Sequence, residues 1–174
     1  MVSGESMKNI ILCGFMGCGK STVGKALAQI SGKVFVDMDS LIEKEQNMRI
    51  PEIFEKYGEN YFRELEHKTC IDLSQKRDLV IASGGGTLIS QRNADILAQT
   101  GIIVFLEVPL KEISLRLKND TSRPLLNTSN REQVMAGLFN FRIPLYKKNA
   151  EFIVNGANSP YNIAREIDIK SKKG

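Results

Sequence analysis

Short apolar, β-branched runs recur along the chain at residues 9–13, 34–36, 79–82, 102–106 and 151–154. Between them lie longer segments whose apolar residues repeat about every 3.6 positions. Val23, Ala26, Leu27 and Ile30 share one face of Lys20–Ser31, and Phe62, Leu65, Thr69 and Leu73 do the same within 59–76. Val134, Leu138, Phe141 and Leu145 mark a further helix, which has to accommodate Pro144. Five runs buried on both faces and alternating with helices predict a parallel sheet covered by helices. The expected fold is a three-layer α/β/α domain with ligands at the carboxyl ends of its strands.

Boundary signals agree with that layout. Ile50-Pro51 starts a short helix and Gly58 ends it, while Ser159-Pro160 places a capping hydroxyl before a first-turn proline to open the last helix. Residues 121–130 carry Ser, Thr, Asn, Arg and Pro with only Leu125-Leu126 apolar, which predicts a mobile surface loop between two helical segments.

Length and charge narrow the function classes. A chain of 174 residues allows one domain, taken as 1–174 with a core of about 7–168, and needs no metal or disulfide staple. No apolar run approaches the roughly 18 residues of a membrane span, and residues 1–6 lack the basic region and cleavage site of a secretory signal. The formal charge is +4, but Arg165, Lys170, Lys172 and Lys173 sit in the last ten residues beside Glu166 and Asp168. Without those six residues the balance is 20 cations to 18 anions. That distribution, with no alternation of aromatic and basic residues, speaks against nucleic acid and leaves small phosphates or carboxylates as partners. Cys13, Cys18 and Cys70 have no C-x-x-C spacing and only His67 accompanies them, which nearly excludes zinc. Reduced core thiols are expected at Cys13 and Cys70, hence a reducing, cytoplasmic compartment, and His67 is expected in solvent on the polar side of its helix.

The strongest chemical signal is Gly14-Phe15-Met16-Gly17-Cys18-Gly19-Lys20-Ser21, which fits G-x-x-x-x-G-K-[ST] between a strand and a helix. Its glycines let backbone N–H groups converge on phosphate oxygens, and the following helix adds the partial positive charge of its N-terminus. Lys20 can reach the β- and γ-phosphates and Ser21 can ligate Mg²⁺, so the chain is expected to bind a nucleoside triphosphate.

Three further features bear on the acceptor. Asp37 and Asp39 follow the second strand, with side chains expected on opposite sides. One could serve Mg²⁺ and the other a substrate hydroxyl, and a helix N-cap plus a solvated acid fits the same spacing equally well. Ser83-Gly84-Gly85-Gly86-Thr87 follows the third strand and either allows close backbone approach to a ligand or is a flexible turn. Arg63, Arg123 and Arg142 stand beside apolar residues. Arginines so placed are more often surface residues, yet a planar carboxylate or a transferring phosphoryl group calls for arginine.

Together these pieces resemble shikimate kinase, a P-loop kinase related to the nucleoside monophosphate kinases. The likeness runs from about Lys8 to Ile167. It rests on Gly14 to Thr22 with Val23-Gly24-Lys25, on Asp37-x-Asp39 with Ile42-Glu43, and on Phe54-x-x-x-Gly58-Glu59-x-x-Phe62-Arg63-x-x-Glu66. Gly84-Gly85-Gly86, Arg123-Pro124-Leu125-Leu126 and Arg142-x-Pro144-Leu145-Tyr146 complete it. The resemblance implies a five-stranded parallel sheet of order 2-3-1-4-5 in a P-loop NTPase fold. It also implies transfer of the ATP γ-phosphoryl group to the 3-hydroxyl of shikimate, giving shikimate 3-phosphate and ADP.

By the same resemblance, Lys20, Asp39 and Arg123 are catalytic, and shikimate meets Asp39, Arg63, Gly84, Gly85, Gly86 and Arg142. ATP meets Gly17, Cys18, Gly19, Lys20, Ser21, Thr22, Arg116, Arg123 and Pro160, and Mg²⁺ lies near Ser21 and Asp37, with Ser83 nearby. Arg123 belongs to a lid, about 119–130, that closes over ATP. Phe141 stands where an acid is common and Lys147-Lys148-Asn149 where a Glu often appears, which puts local salt bridges of that helix in doubt. Alternatives are another small-molecule kinase of this fold, such as a gluconate kinase or nucleoside monophosphate kinase, and a non-catalytic nucleotide-binding regulator. A monomer is the default expectation, with a small-molecule substrate and neither nucleic acid nor membrane as partner.

Overall fold

A computed structural model describes residues 8–173, so the expectation about residues 1–6 lies outside the described residues. Five strands, β1 (Asn9–Cys13), β2 (Val34–Asp37), β3 (Leu79–Ala82), β4 (Gly101–Glu107) and β5 (Phe152–Asn155), form one sheet of order β2-β3-β1-β4-β5. All four pairings are parallel, with Ile11 opposite Ile81 on one side and Ile103 on the other. The order expected from the resemblance is the order observed.

The central strands β1, β3 and β4 are buried nearly throughout, as their unbroken apolar runs require. The edges are not. Val34 is 63% exposed and Ile153 39%, because a strand with one neighbour keeps an open flank. Burial on both faces therefore holds for three of the five runs.

Helices α1 (Lys20–Ser31), α2 (Met38–Gln46), α3 (Ile50–Tyr57), α4 (Glu59–Ser74), α5 (Gln91–Ala98), α6 (Leu110–Arg116), α7 (Arg131–Asn149) and α8 (Pro160–Ser171) connect the strands. Pro51 lies in the first turn of α3, and Gly58, at φ +84°, ends it with its N–H on the Phe54 carbonyl at 2.9 Å. Ser159 caps α8 by accepting from the Asn162 N–H. At the far end of α8, Lys170 and Lys172 pair with Glu166 and Asp168, so the basic tail is largely self-neutralised.

Helix α7 departs from the expected pattern. It runs through Pro144, and its buried residues are Met135, Arg142 and Tyr146, while Phe141 is 64% exposed. Apolar spacing misidentified the inward face because that face carries an arginine. Lys147 does find an acid, Glu107 at 2.7 Å. His67 is not free in solvent either. It is half-buried on α4, with Nδ1 2.8 Å from Asn93 Oδ1.

Candidate active site

Leaving β1, the chain turns through Gly17 and Gly19, both in the left-handed region at φ +75° and +94°, where any other residue would be strained. Gly19 is also the N-cap of α1, which has neither a side-chain cap nor an acid in its first turn. The first amides of α1 thus face the loop with no side-chain cap or first-turn acid to satisfy them. Lys20 folds back on the loop, donating to the Gly14 carbonyl at 2.7 Å and the Phe15 carbonyl at 3.1 Å. Cys18 is buried, with Sγ 3.6 Å from Lys20 Nζ, and Cys13 and Cys70 are buried free thiols, as expected.

At the end of β2, Asp37 caps the next helix and also reaches the phosphate loop. One carboxylate oxygen caps α2 by accepting from the Ser40 N–H at 3.1 Å, and the other accepts from the Ser21 hydroxyl at 2.5 Å. Because α2 begins at Met38, Asp39 sits in its first turn. The two acids line one cavity, where opposite sides were expected. The Ser21–Asp37 pair offers hard oxygen donors, and no cluster of three or more His, Cys, Asp or Glu able to hold a metal occurs among the described residues. That suits Mg²⁺ arriving with phosphates and held by one or two protein oxygens. Ser83 is turned elsewhere, its hydroxyl donating to the Leu12 carbonyl at 2.9 Å.

The cavity is about 680 Å³ and opens at the carboxyl ends of the strands. Ser21, Asp37 and Asp39 form one wall, with Glu43, Arg49, Ile50 and Phe54 beyond them. Arg63, Glu66, Gly85, Gly86 and Arg142 form another, and Thr121 to Leu125, including Arg123, close the third. Gly84 packs close by, for a Cβ there would lie 2.8 Å from Asp39 Oδ1. Burial, reinforced by the charges of Glu66 and Asp37, pushes the Asp39 carboxyl up to about 6, against the opposing pull of Lys20 and Arg123.

The two arginines of this wall differ sharply. Arg63 reaches Glu66 at 2.7 Å and Glu59 at 3.0 Å. Glu66 is buried to 1% exposure, and its second oxygen accepts from the Thr87 hydroxyl at 2.7 Å. Arg142 is 4% exposed and its Nε has no hydrogen-bond partner. No carboxylate lies within ion-pair distance of it among the described residues. The Phe15 ring, 5.9 Å from its guanidinium carbon, and the Tyr146 hydroxyl are its neighbours.

Several expected residues lie outside this cavity. Arg116 stands against the phosphate loop, donating to the Gly17 carbonyl at 3.1 Å and pairing with Glu112 at 2.5 Å. Thr22 is exposed in the first turn of α1, and Pro160 sits exposed at the start of α8. The segment 121–130 is better anchored than an open loop, with a 3-10 turn at Pro124–Leu126 and Leu126 fully buried.

Two positioning groups stood in the quoted motifs without a role. Glu66 could have been found from the Arg63-x-x-Glu66 spacing, which predicts a pair one turn apart. Tyr146 closes the Arg142-x-Pro144-Leu145-Tyr146 motif, but nothing in that spacing indicates that its hydroxyl donates to the Gly85 carbonyl.

Known proteins bear on these features directly. A family model described as shikimate kinase matches residues 16–170. Shikimate kinase of Caldicellulosiruptor bescii is 42% identical over 149 residues, covering 86% of each chain. That of a Sulfurihydrogenibium species is 42% identical over 167 residues, covering 96% of this chain and 99% of its own. Among solved structures, Acinetobacter baumannii shikimate kinase in complex with shikimate superposes with a TM-score of 0.91 at 38% identity, over 97% of this chain and 96% of that one. A gluconokinase from Sinorhizobium meliloti, at TM-score 0.64 and 16% identity over 97% and 93%, shares the fold alone. With its family model matched over residues 16–170 and relatives 42% identical along most of both chains, the protein belongs to the shikimate kinase family.

Proposed function

We propose that the chain transfers the γ-phosphoryl group of ATP to the 3-hydroxyl of shikimate, and that the residues around the cavity divide that work. The observation that carries the assignment is Arg142, a buried guanidinium that no carboxylate among the described residues neutralises, facing the same cavity as Asp39. Such a group fits a planar substrate carboxylate as partner. Arg63, held by Glu66, joins it at that end, and the Gly84, Gly85 and Gly86 backbone lets the substrate come close. Asp39 accepts the hydrogen bond of the 3-hydroxyl, orients its oxygen and receives the proton as that oxygen bonds to phosphorus and the bond to ADP breaks.

Around the nucleotide, Gly17, Cys18, Gly19, Ser21 and Thr22 supply the phosphate cradle, with Arg116 alongside and the loop before Pro160 towards the base. Lys20 exchanges loop carbonyls for phosphate oxygens, and Arg123 comes from the lid to the same group. Ser21 and Asp37 would hold Mg²⁺, which when bound would supply charge neutralisation on the phosphates. Closure of 119–130 keeps water from competing as acceptor. No helix among the described residues is long and apolar enough to cross a membrane. The same reading places the enzyme in the cytoplasm as a monomer whose partners are small anions, without nucleic acid.

The test is a coupled ADP-release assay with ATP, Mg²⁺ and shikimate, using gluconate and nucleoside monophosphates as control acceptors. Shikimate-dependent ADP is expected. Release that ignores shikimate, or that prefers gluconate, overturns the assignment.

A further inference from the structure

Arg131, the first residue of α7, is a half-buried cation that makes no ion pair among the described residues. Its guanidinium is given to main-chain carbonyls. Nη2 donates to the Leu117 carbonyl at 2.8 Å and the Asp120 carbonyl at 2.6 Å, and Nη1 lies 3.5 Å from the Leu126 carbonyl. Leu117 is the C-cap of α6, and Leu126 ends the 3-10 turn on the way back. One side chain therefore ties the outgoing and returning arms of the segment 117–126 to the start of α7.

What lies between those ties faces the substrate cavity. Thr121, Ser122, Arg123, Pro124 and Leu125 all line it. Asp120, whose carbonyl Arg131 holds, accepts from the Ser122 N–H at 2.8 Å and hydroxyl at 2.5 Å through one oxygen, and from Arg123 Nε at 3.3 Å through the other. A connected path thus runs from the Arg131 guanidinium through the Asp120 backbone and carboxylate to the Arg123 guanidinium. A lid without such a tie would sample many backbone states, and ordering them on each turnover would raise the barrier.

We propose that Arg131 is a positioning residue for phosphoryl transfer, fixing the lid backbone so that Arg123 is presented to the ATP phosphates. The proposal rests on the reading that Arg123 meets those phosphates. The planar fork of arginine holds its donors in fixed directions and so can span carbonyls on separate arms of the segment. Lysine keeps the charge but offers a single flexible ammonium.

The test is a double-mutant cycle on Arg131→Met and Arg123→Met, read as kcat, as KM for each substrate, and as ATP Kd by titration, which needs no turnover. Arg131→Met is expected to lower kcat by about 10- to 100-fold. It should weaken ATP binding and leave KM for shikimate within about threefold. Arg131→Lys should recover part of the loss, and serves for the cycle where the methionine variant does not fold. In the Arg123→Met background, loss of Arg131 should change ATP Kd by less than about twofold, because the residue it acts through is gone. Effects that multiply across the cycle, or an Arg131→Met enzyme with wild-type kcat and ATP Kd, overturn the proposal. So does an Arg123→Met enzyme that binds ATP as the wild type does. A wild-type protein that turns over no shikimate but shows the non-additive ATP binding would instead sink the substrate assignment and leave the lid role standing.

Discussion

Replacing Arg142 by methionine should move ligand affinity and protein stability in opposite directions. The side chain is 4% exposed, its Nε lacks a partner and no acid among the described residues pairs with it. Methionine has a similar length and no charge. It abolishes an unsatisfied buried donor, whose burial costs about 1–3 kcal/mol, and forfeits a cation–π contact with Phe15 at 5.9 Å, typically about 0.5–2 kcal/mol. At mid-range the gain exceeds the loss by about 1 kcal/mol, so the Tm of the free enzyme should rise by about 2–4 °C. Shikimate loses a desolvated charge partner, at about 2–5 kcal/mol, which is roughly 30- to 4000-fold in affinity. Arg63→Met is the contrasting variant. It strips the partner from buried Glu66, and an uncompensated buried charge costs about 3–5 kcal/mol. Its Tm should fall by about 6–20 °C while shikimate binding weakens too. Both variants are to be followed by scanning calorimetry of the free protein and by KM for shikimate at saturating ATP. A drop of several degrees in Arg142→Met with shikimate KM intact would show that Arg142 is a structural residue and refute the reasoning.

Other variants test the remaining parts of the site. The Asp39 carboxyl is raised to about 6, so folding is favoured when it is protonated. That contribution is full below the unfolded value near 4 and is lost as pH rises through about 6, amounting to roughly 3 kcal/mol. Asp39→Asn should therefore be more stable than the wild type above pH 6, converge with it near pH 4 and lose turnover, as urea titrations across pH 4–8 and the ADP assay would show. In the wild type, kcat/KM for shikimate should rise with pH about a midpoint near 6, and a profile flat from pH 5 to 8 would contradict an ionised Asp39 as hydrogen-bond acceptor. Gly86→Ala would place a Cβ on the Arg63 guanidinium. Since φ at Gly86 is −98°, backbone strain is absent, and the expected result is at least a tenfold rise in KM for shikimate with ATP KM within about twofold. Lys20→Met should cut kcat by at least about a hundredfold in the same assay, and near-normal turnover would remove Lys20 from the machinery.

What the sequence revealed follows from which interactions are local. The phosphate loop, the Asp37 cap and the Ser159-Pro160 start of α8 each depend on residues within a few positions of one another, and each stands where the pattern put it. The central strands were legible because burial on both faces forces a continuous apolar run. Where the reading failed, a non-local partner had changed a residue's environment. Phe141 fits the apolar spacing of α7, yet the inward direction belongs to Arg142 because Phe15 of the phosphate loop and Gly85 of the glycine loop lie opposite it. His67 sits on a polar helix face that Asn93 of α5 covers. Glu66 reads as one more surface acid until Thr87 and Arg63 converge on it. Arg131 has no counterpart in its own stretch of sequence, since the carbonyls it holds belong to the preceding loop and are invisible in residue identities.

The resting partners of the charged groups separate the two halves of the site energetically. Lys20 lies on the Gly14 and Phe15 carbonyls, Ser21 on Asp37, and Arg123 on Asp120. Each group assigned to the nucleotide thus surrenders an internal bond before it can serve a phosphate, so ATP binding there is an exchange whose net gain is smaller than its contacts suggest. Arg142 surrenders no ion pair, and Arg63 is fixed by an acid that is itself buried and bonded to Thr87. The carboxylate end of the acceptor pocket is therefore organised before substrate arrives. On the proposed assignment its affinity would come from filling a charge deficit that folding left in place, and the stability expected of Arg142→Met would measure the same deficit.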